Sequence, residues 1–217
     1  MIEIIKIAAA EITIDPKEVA VYLGYYSANG IDKKTITEAI SEFRSNADCR
    51  ACVARVPVGI NGNSVNLGFM QVESQSLRKN LEGCDEAYIL AATTGISSQR
   101  LIEKNSVISP IKGIVTDCVG SAAIEAFCDK INLSLSDNPD FLRPRFSPGY
   151  GDLCIDCQRK IVEFLCANKN IGLSLTESLM MVPKKSVTAI IGISKEKNRC
   201  KGSGCMTCKS EKCPYRD

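Results

Sequence analysis

Arg143-Pro144-Arg145-Phe146-Ser147-Pro148-Gly149-Tyr150-Gly151-Asp152 is the stretch on which the reading of this chain turns. Its two prolines stiffen the backbone, and its two glycines admit positive φ or close approach to a neighbour. Arg145 offers a planar fork that matches a carboxylate. Tyr150 offers an aromatic face and a hydroxyl, both useful against a cation. A ligand with a carboxylate, a flat heterocycle and a positive centre suits such a loop. The alternative is a rigid turn that only leads into the next helix.

Working outward, the flanks are ordinary globular sequence. The chain has 217 residues, 45% hydrophobic and 24% charged, which is enough to bury a core. The net charge of +2 gives no global field for nucleic acid, so none is expected as a partner. No apolar run approaches the ~18 residues of a membrane helix, and the start of the chain lacks the pattern of an export signal. A cytoplasmic location with no membrane partner is expected. There is no histidine, which excludes Ser-His-Asp and Cys-His mechanisms and removes the commonest metal ligand.

The periodicity predicts a mixed fold. Asp15-Pro16 reads as the cap and first residue of a helix ending near Gly24. A second helix begins after Asp32 and carries Ile36, Ala39, Ile40 and Phe43 on one face. Residues 51–57 read as a strand, followed by a turn over Ile60–Ser64 and a returning strand over Val65–Phe69. A short helix over Ser74–Leu81, a buried strand over Ala87–Ala92, and helices over Ser97–Asn105 and Pro110–Ile131 follow. A helix over Asp156–Asn168 and strands over Met180–Val182 and Val187–Gly192 complete the pattern. Without a βαβ rhythm this is α+β, a largely antiparallel twisted sheet with flanking helices.

Three stretches carry a family resemblance. Arg145-x-x-x-Gly149-Tyr150, directly before a helix, resembles the central motif of the S-adenosylmethionine-binding activation domain of cobalamin-dependent methionine synthase. Leu175-Thr176-Glu177-Ser178-Leu179-Met180-Met181-Val182-Pro183, followed by Ser186-Val187, resembles the family's Leu-Thr-Glu-Ser…Pro…Ser-Val segment. Ala123-Ile124-Glu125-Ala126-Phe127 resembles its acidic segment on the preceding helix. The three matches stand in the family's order and span about residues 115–190.

The resemblance implies an activation domain-like fold over residues 1–194, here as a free-standing protein. It implies that Arg145 holds the methionyl carboxylate of S-adenosylmethionine, with Glu125 near the ammonium or sulfonium. The Ser147–Gly149 backbone would line the adenosyl group, and Tyr150 would lie close to the sulfonium. Glu125 as a plain exposed helix carboxylate is the alternative, and Glu177 reads as a cap. No side chain of this chain is expected to be catalytic. The implied activity is that of a methyltransferase subunit in methionine biosynthesis, supporting reductive remethylation of cob(II)alamin. The cobalamin would sit on a partner, a methionine synthase or other corrinoid protein, and a reductase or other donor would supply the electron. The chain departs from the pattern at Gly151-Asp152, where the family has Pro-x-Cys-Pro after Gly-Tyr. An acidic contact on the family's first helix falls at Gly24, and a late tyrosine contact has no match.

Twelve cysteines are unusual for a chain with no export signal, and metal, redox or packing roles are expected before disulfides. Residues 195–217 form a Cys-rich basic tail that cannot build a core. Cys200-x4-Cys205-x2-Cys208-x4-Cys213-Pro214 supplies four thiolates, sufficient for tetrahedral zinc or an iron–sulfur cluster. Free thiols or disulfides are the alternative. An iron–sulfur or zinc-binding electron-transfer or interaction module, without methyl-donor binding, is therefore a second reading of the whole chain. Cys154-x2-Cys157 is a redox pair, a ligand pair or packing. Cys49 and Cys52 should face opposite sides of a strand, and Cys118, Cys128 and Cys166 read as small core residues.

Overall fold

The computed structural model describes residues 1–24, 31–135 and 141–194. Its centre is a four-stranded antiparallel sheet in the order β1-β2-β6-β9, built from β1 (Ile2–Ile7), β2 (Cys49–Pro57), β6 (Cys84–Thr93) and β9 (Ser186–Ser194). The expected α+β class with an antiparallel sheet is what forms. The central strands read as nearly continuous apolar runs because both faces are covered. On β2, Cys49, Ala51 and Val53 enter one core, while Cys52, Ala54 and Val56 enter the other. Cys49 and Cys52 thus lie on opposite faces, as the alternation requires.

The first face is covered by α1 (Pro16–Leu23), α2 (Lys33–Asn46), α4 (Ile96–Ile108) and α5 (Pro110–Ser134). Their starts follow from local chemistry. Asp15 Oδ1 accepts from Lys17 N at 2.8 Å, Asp32 Oδ1 accepts from Thr35 N at 2.7 Å, and Pro110 opens α5 after its cap Ser109. Phe43 of α2 and Phe127 of α5 are fully buried. Each such side chain contributes roughly 1.5–3 kcal/mol of transfer free energy. The long α5 packs across the sheet and carries Glu125 toward the far edge strand.

The second face is covered by α3 (Gln75–Asn80), α6 (Cys157–Phe164), α7 (Ala167–Ile171) and a small sheet of β3 (Gly59–Asn61), β4 (Ser64–Asn66) and β5 (Gln71–Glu73). Here the structure corrects the sequence reading in three places. The expected hairpin exists, but β4 pairs with β3 and β5 and not with β2. Asn66 Oδ1 accepts from Gly68 N at 2.8 Å, and this local turn ends the strand at Asn66.

The helix expected over Asp156–Asn168 is two helices. Cys166 takes a left-handed conformation (φ 47°), and Asn170 Nδ2 donates to the Leu165 carbonyl at 2.8 Å, satisfying an acceptor the break exposes. The break lets Ala167 and Ile171 bury in the second core. Cys166 itself is exposed, so it is not the core residue the sequence reading made it. Third, β8 (Met181–Val182) pairs with β7 (Ser174–Leu175), which the sequence does not announce. The N-terminal β1, which the periodicity does not predict, pairs antiparallel with β2. Among the described residues, no helix is long and apolar enough to cross a membrane.

Candidate functional site

Residues 142–146 run along the free edge of β9. Arg143 N donates to the Gly192 carbonyl at 2.8 Å, Phe146 N donates to the Ile190 carbonyl at 2.9 Å, and Ile190 N returns a bond to the Phe146 carbonyl at 2.8 Å. Gly192 permits this approach: a Cβ there would stand 2.8 Å from Cys84 Sγ and from Leu81 Cδ2, and 3.0 Å from Arg143 Cγ. Phe146 turns into the second core. Its neighbour Arg145 turns the other way, toward α5.

There Arg145 Nη2 donates to Glu125 Oε2 at 2.7 Å and Nη1 donates to Asp129 Oδ1 at 2.6 Å. The Arg145 side chain is only 18% exposed, while Glu125 and Asp129 are 45% and 68% exposed. Burial opposes the charge on Arg145, and neighbouring groups outweigh it. Of these, Cys128 is a thiol that burial has pushed up to about 12, so at neutral pH the two carboxylates do the stabilising. Across from α5, burial raises the carboxyl pKa of Glu18 on α1, with Asp15, Asp129 and Glu125 adding to the rise.

Arg145, Glu125 and Asp129 edge a cleft of about 670 Å³. That volume is within the ~300–1,000 Å³ typical of small-molecule sites. One wall is α5, with Glu125, Asp129 and Asn132; the opposite wall is the 142–150 loop; Ser186–Thr188 of β9 contribute a third side. Asn132 Oδ1 is buried and has no hydrogen-bond partner among the described residues. Tyr150 is 67% exposed and stands on the rim.

Of the residues expected from sequence, Glu125, Arg145, Ser147 and Tyr150 all line this one cleft. Gly149 does not itself line the cleft but shapes the loop that does. It takes φ +90°, donates from its N–H to the Leu153 carbonyl at 2.9 Å and leaves space for Ile155, whose Cδ1 a Cβ would meet at 3.2 Å. The Leu175–Val187 segment splits its roles. The Thr176 hydroxyl accepts from Met180 N at 3.0 Å and forms the turn, while Glu177 is exposed. It is Thr176 that caps this turn. The buried Gln158 donates to the Leu179 carbonyl at 2.7 Å and holds the turn against the cleft. Lys185 ties the next segment to α5 through Asp117 and Ser121, each at 2.9 Å.

Asp129 and Asn132 were not singled out from sequence. Their signal is the spacing 125, 129, 132, which keeps them on one helical face, but α5 is apolar on almost every side and hides it. Glu18, not Gly24, is the α1 residue whose charge interacts with this face. Gly24 ends α1, with φ 49° and its N–H donating to the Ala20 and Val21 carbonyls.

Cys200, Cys205, Cys208 and Cys213 lie outside the described residues. Among the described residues no cluster of three or more metal-ligating side chains occurs, at Cys154 and Cys157 or elsewhere. The Cys154 thiol donates to Asp156 Oδ2 at 3.0 Å. Burial pushes the Cys157 thiol up, overriding the lowering expected at a helix start.

The family model described as "Vitamin B12 dependent methionine synthase, activation domain" matches residues 138–202. Among solved structures, "Crystal Structure of the MetH Reactivation Domain bound to AdoHcy" is similar with a TM-score of 0.66 at 14% identity, covering 91% of this chain and 79% of that one. No match was found among the curated proteins. The chain thus resembles the activation domain in the sequence around the cleft and in the fold of nearly its whole length.

Where the chain departs from the motif, it builds a clamp. Asp152 accepts from Ser74 Oγ at 2.5 Å, Gln75 N at 2.7 Å and Ser76 N at 3.0 Å, so it caps α3 from 78 residues away. These donors hold its carboxyl well below the usual range. A carboxyl pKa lowered by folding stabilises the fold above its unfolded value of about 3.9, and the contribution is lost as pH falls through the folded value. Asp152→Asn should therefore loosen the 147–153 loop at neutral pH, read as faster amide exchange there than in the parent, and the difference should shrink as pH falls below about 4. Equal exchange in both proteins would show that the clamp contributes nothing.

Proposed function

We propose that this chain binds S-adenosylmethionine in the α5–loop cleft and serves as an activation subunit for a cobalamin-dependent methionine synthase or related corrinoid protein. The observation that carries this reading is the convergence of Glu125, Arg145, Ser147 and Tyr150 on one cleft of suitable size. These residues span 26 positions of sequence and two separate elements. A rigid turn that only preceded a helix would have no reason to meet Glu125.

The roles follow from the chemistry of the side chains. Arg145 presents two guanidinium nitrogens to a carboxylate once the ligand displaces an internal partner. Glu125, freed by that exchange, accepts from the ligand's ammonium. Tyr150 lays an aromatic rim beside a positive centre, worth ~0.5–2 kcal/mol depending on exposure. Transfer of the methyl group breaks the carbon–sulfur bond with its electrons going to sulfur, so the leaving group is a neutral thioether and no general base is needed. That matches a chain without histidine. The corrinoid, carried by the partner and reduced by an external electron donor, supplies the nucleophile. The contribution of this protein is placement of the donor, in principle up to ~7–11 kcal/mol.

Arg145→Ala should weaken S-adenosylmethionine binding by about 10- to 100-fold, the worth of charge-assisted hydrogen bonds. Calorimetry with and without the corrinoid partner reads this. Absence of binding in the parent protein under both conditions would remove the reading.

The tail belongs to the same proposal as an electron-handling or structural module. The spacing of Cys200, Cys205, Cys208 and Cys213 fits an iron–sulfur cluster or zinc, and a reactivator has use for an electron. Anaerobically purified protein should contain iron and acid-labile sulfide. Stoichiometric zinc without visible absorbance would assign the tail a structural role instead.

A further inference from the structure

Arg145 already has two counter-ions within the chain. Glu125 and Asp129 both ligate it, at 2.7 and 2.6 Å, which leaves the three groups with a surplus of one negative charge. The rest of the α5 wall deepens the bias. Asn132 Oδ1, one turn on, is a buried acceptor without a donor among the described residues. Glu18 on α1 adds a further carboxylate whose own ionisation is resisted by burial, by Asp15 and by these same two acids. The other cation of the cleft lining, Arg143, turns its Nη2 to the Glu82 carbonyl at 2.7 Å, ahead of β6. A ligand carboxylate arriving at Arg145 therefore becomes a third anion around that one guanidinium, and positive charge carried by the ligand offsets it.

We propose that Asp129 is a specificity-determining residue that sets the cleft for a net-cationic ligand and against its neutral counterpart. This rests on the S-adenosylmethionine reading above and sharpens it. S-adenosylmethionine carries a carboxylate, an ammonium and a sulfonium, net +1. Its product S-adenosylhomocysteine carries the first two only, net zero. Both satisfy Arg145 and Glu125 equally with their amino-acid ends. They differ in the charge that answers the surplus carboxylate. Asp129 thereby favours the loaded donor and promotes release of the spent one, without touching the transferred methyl group.

The expected preference for the sulfonium is roughly three- to tenfold, the scale of one unit charge acting across several ångströms of partly solvated space. The experiment measures dissociation constants of the full chain, and of Asp129→Asn, for three probes at low and high salt. The probes are S-adenosylmethionine, S-adenosylhomocysteine and sinefungin, whose amine carries a charge near the sulfonium position. Asp129 is two-thirds exposed, and thermal unfolding of the variant checks that it folds. The proposal expects both cationic probes to be preferred by the parent, the preference to shrink with salt, and the ratio to approach one in Asp129→Asn. Equal affinities in the parent overturn it. So does an unchanged ratio in Asp129→Asn, including the case where Asp129 serves the ammonium and all three probes weaken together. Binding of none of the probes, even with the corrinoid partner, overturns the ligand reading itself as well.

Discussion

The two-way backbone pairing of Phe146 with Ile190 is the constraint on which the site depends. It fixes residues 142–146 to the open edge of β9, so that Phe146 must enter one core and Arg145 must face the other side. Arg145 then meets α5, and the distance between helix and loop becomes the width of the cleft. Everything that holds the edge in place serves the same end. Gly192 lets the loop approach, Lys185 fastens the start of β9 to α5, and Asp152 fastens the end of the loop to α3. The loop is thus anchored on three separate elements.

The electrostatics of the cleft are those of a site that has been closed on itself. A mostly buried guanidinium needs a counter-ion, because an unpaired buried charge is costly. Glu125 and Asp129 provide it from one helical face, and they remain partly solvated, which keeps the pairing exchangeable. Their exposure also means that salt screens them, and the net strength of each pair is modest. An incoming carboxylate trades one partner for another, and does not have to pay for desolvating an isolated arginine.

Much of this fold could be read from sequence where local chemistry speaks. Asp15-Pro16, Asp32 and Pro110 mark three helix starts because caps and proline act within a few residues. The buried faces of α2 and the apolar runs of β6 and β9 follow from periodicity. What escaped notice depends on partners far along the chain. The short β7 and β5 exist only because a neighbouring strand is brought to them. The break at Cys166 depends on Asn170 and on burial of Ala167 and Ile171. Asp152 looked like a lapse from the family motif, yet it caps a helix that starts at Gln75. The candidate site shows the same division. Arg145, Ser147, Gly149 and Tyr150 stand in one legible stretch, whereas Asp129 and Asn132 acquire meaning only once α5 is laid against that stretch.

The central claim is that Arg145 exchanges its internal carboxylates for that of a ligand. A crystal structure of the chain grown with S-adenosylmethionine tests it most directly. The account predicts the methionyl carboxylate on the Arg145 guanidinium, with at least one of Glu125 and Asp129 released to face the ligand's positive groups. A structure in which the ligand lies elsewhere, with Arg145 still held between both carboxylates, would contradict it.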